Sequence, residues 1–157
     1  MTQTSALLTE ICDMLSESKL FSHLPYSDLE SVARHFGILE IEQGETIFNE
    51  GDDGTFMCIV FSGRVAIIKS DQNGRGVVMA TQGEGNTLGE MAVLDGERRS
   101  ASCVAETECI LVTLSREAMD EMLEYQSRIG AKILRAIAVS LSRRMRMTAG
   151  KLVDYEG

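Results

Sequence analysis

The chain has no tryptophan, a single proline and only two histidines among its 157 residues, and aromatics make up 5%. So few histidines exclude a cupin-type metal centre, which needs two or three clustered imidazoles with a carboxylate. His23 reads as a loop residue and His35 as a helix-end residue, both in the N-terminal third. No Ser-His-Asp or Cys-His set can be assembled on the strand-rich middle, so no catalysis is expected. No G-x-x-x-x-G-K-[ST] occurs, which argues against a triphosphate ligand. The four cysteines, Cys12, Cys58, Cys103 and Cys109, form no C-x-x-C pair. Three of them lie in apolar, strand-like runs, so they read as reduced structural thiols of a cytoplasmic protein. No apolar run is long enough to span a bilayer, and no basic-then-apolar leader opens the chain. The net charge of −9 speaks against a general nucleic-acid binder.

The charge that is present is unevenly placed. Residues 1–127 carry eight basic and 22 acidic side chains. Residues 128–151 carry seven basic ones (Arg128, Lys132, Arg135, Arg143, Arg144, Arg146, Lys151) and no acid. Such a run reads first as a solvated helix face, with contact to nucleic acid, a membrane surface or an acidic partner as the alternative.

The period of the apolar residues divides the chain in three. "SALLTEICDMLSES" puts Leu7, Leu8, Ile11, Met14 and Leu15 on one helical face. A second helix is expected after Pro25, with Ser27 as N-cap, Glu30 completing a capping box and Gly37 as the stop. From Ile38 to Leu114 short runs such as "FMCIVF", "RVAIIK" and "CILVTL" alternate with glycines, and Asn73-Gly74 marks a hairpin. This texture predicts a sandwich or barrel. Ser115 then caps "REAMDEMLEY", and a long helix runs from about Ser127 to about Val153. Leu134, Ile137, Leu141, Met145, Thr148 and Leu152 form one stripe on it, with Val139, Met147 and Val153 off the stripe.

The chemistry concentrates in "LGEMAVLDGERRSASCVAE", Leu88 to Glu106. A helix starting after glycines presents free N–H groups and the positive end of its dipole, which suits a phosphate. Glu90 in the first turn is an acceptor when ionised and wants a hydroxyl or N–H. Arg99 offers a fork that matches two oxygens of one phosphate. A ribose 3′,5′-cyclic phosphate with a free 2′-OH fits both groups. The plainer alternative is a structural ion pair between Glu90 and Arg99.

The same residues carry a family resemblance. "FSHLPYSDLESVA", "IEQGETIFNEGDDGTFMCIVFSGRVAI" and "LGEMAVLDGERRSASCVAETECIL" resemble the cyclic nucleotide-binding domains of the catabolite activator family, from about Leu20 to about Lys151. The last segment is similar to that family's phosphate-binding cassette. The resemblance implies an α+β fold: an antiparallel β-roll of double-stranded jelly-roll type, flanked by N-terminal helices and a long C-terminal helix. Its parts are 1–36 for the first helices, 37–114 for the roll with the cassette at 88–103, and 115–157 for the C-terminal helices.

Carried over by position, the resemblance makes Gly89, Glu90, Met91 and Ala92 the cassette helix. Glu90 then takes the ribose hydroxyl, and the Met91 and Ala92 amides face the phosphate. Arg99 pairs with the phosphate and Ser100 adds its hydroxyl or amide. Arg98 stands where the family has proline and becomes a solvent-side arginine; Leu88 stands where phenylalanine is common. Thr148 falls where a threonine meets the purine, while Ala149 replaces a serine. Val78 and Met79, on the strand leading into the cassette loop, are expected to wall the base. The implied function is a sensor of cyclic AMP or cyclic GMP with no other cofactor, signalling to an unidentified protein through a C-terminal helix that joins a homodimer. A ligand-independent dimeric scaffold is the alternative. The chain stops at Gly157, so no helix-turn-helix and no DNA binding are expected of it.

Overall fold

The computed structural model describes the backbone of residues 2–156 and the side chains of residues 5–150. The side chains of Lys151, Leu152 and Val153, counted above in the basic run and near the stripe, lie outside the described residues. Helix α1 spans Thr2–Glu17 and α2 spans Tyr26–Val32, followed by one 3-10 turn, Ala33–His35. Strands follow: β1 (Phe36–Ile41), β2 (Thr46–Phe48), β3 (Phe56–Ser62), β4 (Val65–Ser70), β5 (Gly76–Gln82) and β6 (Thr87–Leu88). A short helix α3 (Glu90–Asp95) interrupts them before β7 (Ser102–Ala105) and β8 (Cys109–Ser115). Helices α4 (Arg116–Tyr125) and α5 (Ser127–Glu156) close the order.

The strands form two antiparallel sheets in the orders β1-β8-β3-β6 and β2-β7-β4-β5. Successive side chains on a strand point to opposite faces, and β3 and β8 use both. Cys58, Val60, Cys109 and Leu111 join Phe48, Val65, Leu88, Cys103 and Ala105 in a core between the sheets. Met57, Ile59, Val112 and Leu114 face the other way, onto Ile11, Leu15, Phe21, Leu29, Ile133 and Ile137 of the helices. Burial on both faces is why these strands read as continuous apolar runs rather than alternating ones. This is the expected β-roll with its helical flanks.

Several local expectations give way. The N-cap of α2 is Pro25, at φ −60° and ψ 144°, and Ser27 lies inside the helix without capping it. The ring pre-sets the φ of the chain as it enters the helix, and Pro25 O accepts from the Asp28 and Leu29 amides. No capping box with Glu30 forms. Gly37 stops no helix; it sits in β1 opposite Thr113, where an added Cβ would come within 2.9 Å of Thr113 Oγ1. On α1, Leu7 points outward while Ile11, Met14 and Leu15 are buried. Ser115 does cap α4, accepting from the Ala118 amide at 3.0 Å.

Helix α5 presents three faces. Its core face is Ile129, Ile133, Ala136 and Ile137. Of the predicted stripe only Ile137 belongs there; Leu134 and Leu141 are half-buried, and Met145 and Thr148 are exposed. The stripe therefore lies beside the core face rather than on it. The third face is basic, and its first turn is anchored. Asp28 of α2, 7% exposed, accepts from Arg128 Nη2 at 3.0 Å and from Lys132 Nζ at 3.3 Å.

The Arg128 hydrogen bond, helped by Lys132 and opposed by burial, holds the Asp28 carboxyl below its ordinary range. A depressed folded value means the stabilisation is full above about pH 4 and is lost as pH falls through the folded value. Asp28→Asn is expected to melt lower than wild type at pH 7, with the gap closing as the pH is taken down through about 4. Thermal melts across that range check it; a constant gap refutes the assignment.

Candidate functional site

The turn between β6 and α3 places the cassette residues. Gly89 holds φ +73°, and a Cβ built there would meet the Arg99 guanidinium and stand 3.3 Å from the Phe48 ring. Only glycine lets the chain turn there so close to that cation. Glu90 and Arg99, 2% and 4% exposed, are thereby buried at one end of the roll.

Arg99 has no carboxylate within salt-bridge distance among the described residues. Its Nη1 donates to Gly89 O at 3.2 Å and its Nη2 to Phe56 O at 2.5 Å. The guanidinium lies 3.8 Å from the Phe48 ring centre and 4.9 Å from that of Phe56. Cation–π contact in such a desolvated place contributes about 2 kcal/mol. Nε has no hydrogen-bond partner. Burial pushes the guanidinium below its ordinary value, yet arginine stays charged there. The same burial raises the thiols of Cys58 and Cys103, each to about 12, so neither supplies an anion at neutral pH. A buried charge is normally paired; this one is held by carbonyls and rings instead.

The expected alternative, a Glu90–Arg99 pair, is absent. Glu90 pairs with Arg144 of α5, whose Nη2 stands 2.5 Å from Oε1. Beside this ion contact Oε1 has no hydrogen-bond partner. Arg144 Nη2 also donates to Thr87 Oγ1 at 2.5 Å and Thr87 O at 3.3 Å. Arg144 is therefore not part of a solvated face, as the basic run suggested, but reaches from α5 into the site.

These groups surround a cavity of about 270 Å³. Gly89, Glu90, Met91, Ala92, Arg99 and Ser100 all line it. Arg98 lies at its rim, exposed, donating to Gly51 O at 3.1 Å, which agrees with a solvent-side arginine. Val78, Met79 and Thr148 do not line it. Val78 and Met79 are 58% and 62% exposed on the edge strand β5. The Thr148 hydroxyl donates back along its own helix to Arg144 O at 3.0 Å. Sequence reasoning missed Arg144, Phe48 and Phe56. The rings sit in apolar strand runs with no mark of their own, and Arg144 stands among basic neighbours.

Residues 38–126 match the family model described as cyclic nucleotide-binding domain. A CRP-like cAMP-activated global transcriptional regulator of Mycobacterium tuberculosis is 26% identical over 142 residues, 90% of this chain and 62% of that protein. A cyclic AMP receptor protein of Thermus thermophilus is 35% identical over 100 residues, 64% of this chain and 46% of that one. The chain thus spans less than two thirds of these relatives. Among solved structures, a cyclic nucleotide-binding domain from Methylobacillus flagellatus superposes with a TM-score of 0.82 at 27% identity, covering 94% of this chain and 83% of that one.

Gly89→Ala places a Cβ in a left-handed conformation and against Arg99. A loss of at least about 1–2 kcal/mol is expected from the backbone alone. Chemical denaturation followed by circular dichroism checks this; unchanged stability refutes the tight approach.

Proposed function

The chain belongs to the cyclic nucleotide-binding domain family, and from that premise we propose that it is a regulatory sensor holding cyclic AMP or cyclic GMP in the cassette cavity. The observation that carries this reading is Arg99: a buried cation with no carboxylate partner and an unused Nε–H, facing a cavity beside a buried acceptor. A cyclic phosphate supplies the missing anion, and bidentate pairing with a guanidinium is strong. Met91 and Ala92 add backbone amides and Ser100 a hydroxyl or amide. Glu90 accepts the ribose 2′-OH. Since Arg144 already contacts Glu90, ribose and α5 share one carboxylate, and ligand binding biases the position of α5. The work of the site is binding, not catalysis.

We further propose that a second copy covers the outer face of α5, where Leu134, Leu141 and Met145 leave apolar surface exposed.

Calorimetric titration with cyclic AMP tests the cassette. Arg99→Ala is expected to lose about 2–5 kcal/mol of binding, while Arg98→Ala binds like wild type. The reverse pattern overturns the register. In Glu90→Gln the difference between cyclic AMP and its 2′-deoxy analogue should shrink.

Met145→Asp tests the pairing of copies without touching the core, since Met145 is 72% exposed. Sedimentation is expected to show a dimer for wild type and a monomer for the variant. High salt should strengthen the wild-type dimer, because two basic helices repel. A dimeric Met145→Asp removes this face from the interface.

A further inference from the structure

On the other side of Arg144 from the cassette runs a larger cavity of about 630 Å³. Its walls are the corner between α1 and α2, the turn before β6, and α5 from Lys132 to Met147. That stretch of α5 is about 22 Å long, or about four turns. Leu20, Leu24, Ala136, Val139 and Met147 give the groove an apolar floor. Lys19, Lys132, Arg135, Arg143 and Arg144 stand around it, and no aspartate or glutamate lines it. Lys132 and Arg144 already have carboxylate partners, Asp28 and Glu90. Lys19, Arg135 and Arg143 have none within salt-bridge distance among the described residues, so their charge faces the groove uncompensated.

We propose that this groove docks an acidic amphipathic helix of a partner protein. The length, the apolar floor and the basic rim match the helix-in-groove mode of recognition, in which apolar side chains anchor at intervals of three and four. The surrounding charge narrows the partner. Residues 1–127 are strongly acidic, so an extended polyanion such as a duplex or a charged membrane is repelled by the body around the groove. A single helix that lies within the groove meets only the basic walls. The concave shape argues the same way, since a membrane needs a flat or convex face. The groove lies on a different face of α5 from Leu134, Leu141 and Met145, so docking and pairing of copies are compatible. Docking does not depend on the cassette's ligand, although Thr87 and Arg144 line both cavities.

The probe is a fluorescent helical peptide of about four turns, leucines on one face and glutamates flanking them, measured by anisotropy on the full chain without nucleotide. Saturable binding is expected, weakened at least about tenfold in Arg135→Glu/Arg143→Glu and in Val139→Asp. All three positions are exposed, and melting curves verify folding. Arg75→Glu, on the β4–β5 turn, should bind like wild type. A peptide with glutamine for glutamate should bind far more weakly. Equal binding by the groove variants, equal binding of the glutamine peptide, or tighter binding of an RNA hairpin or phosphatidylserine vesicle overturns the proposal.

Discussion

The site is organised around one unpaired charge. Arg99 is buried as completely as the core, yet its fork is steadied by two backbone carbonyls and two aromatic faces rather than by a carboxylate. Removing a guanidinium from water without an anion is costly, and the neighbourhood bears the signs of that cost. Gly89 takes a conformation only glycine adopts freely, so that its carbonyl can accept from Nη1. Phe48 and Phe56 come from strands of different sheets and meet over the cation, so both sheets must be in register before the charge has its cradle. The cassette is thus a property of the assembled roll, not of the short segment that contains most of its residues.

The second buried charge explains why α5 belongs to the site. Glu90 has its cation, but that cation arrives from a helix more than fifty residues later in the chain, and Oε1 has no hydrogen-bond partner. On the proposed reading, a hydroxyl donor meeting Oε1 competes with Arg144 for the same carboxylate, and the helix that carries Arg144 feels the outcome. On that reading no separate transmission element is required, because ligand and α5 share Glu90.

Much of this was legible in the sequence. The β-roll follows from short strands and spaced glycines. That Gly89 through Ala92, Arg99 and Ser100 gather at one cavity was readable because they lie in one continuous stretch. What was not readable is what the fold brings from far away. Phe48 and Phe56 look like any strand hydrophobes until the sheets stack. Arg144 looks like one more member of a basic run, since charge counting cannot say which of seven cations turns inward. The capping box at Ser27 failed because Pro25 had already set the entry angle of α2. Gly37 failed as a stop because its lack of a side chain answers Thr113 across the sheet, a constraint with no local signature. The stripe on α5 was counted correctly, but spacing could not say that the fold takes Ile137 of it into the core.

The charge distribution gives the long helix its character. An acidic body and a basic helix in one chain attract, and Asp28 with Arg128 and Lys132 shows that attraction used at the helix start. Farther along, the body offers Arg144 one buried carboxylate and, among the described residues, offers Lys19, Arg135 and Arg143 none within salt-bridge distance. The helix is therefore fixed strongly at its N-terminal end, through one ion contact near its middle, and by apolar contact between them. Beyond Leu141 the described side chains are mostly exposed. Arg144 makes the contact near the middle, where the cassette cavity and the basic groove share a wall.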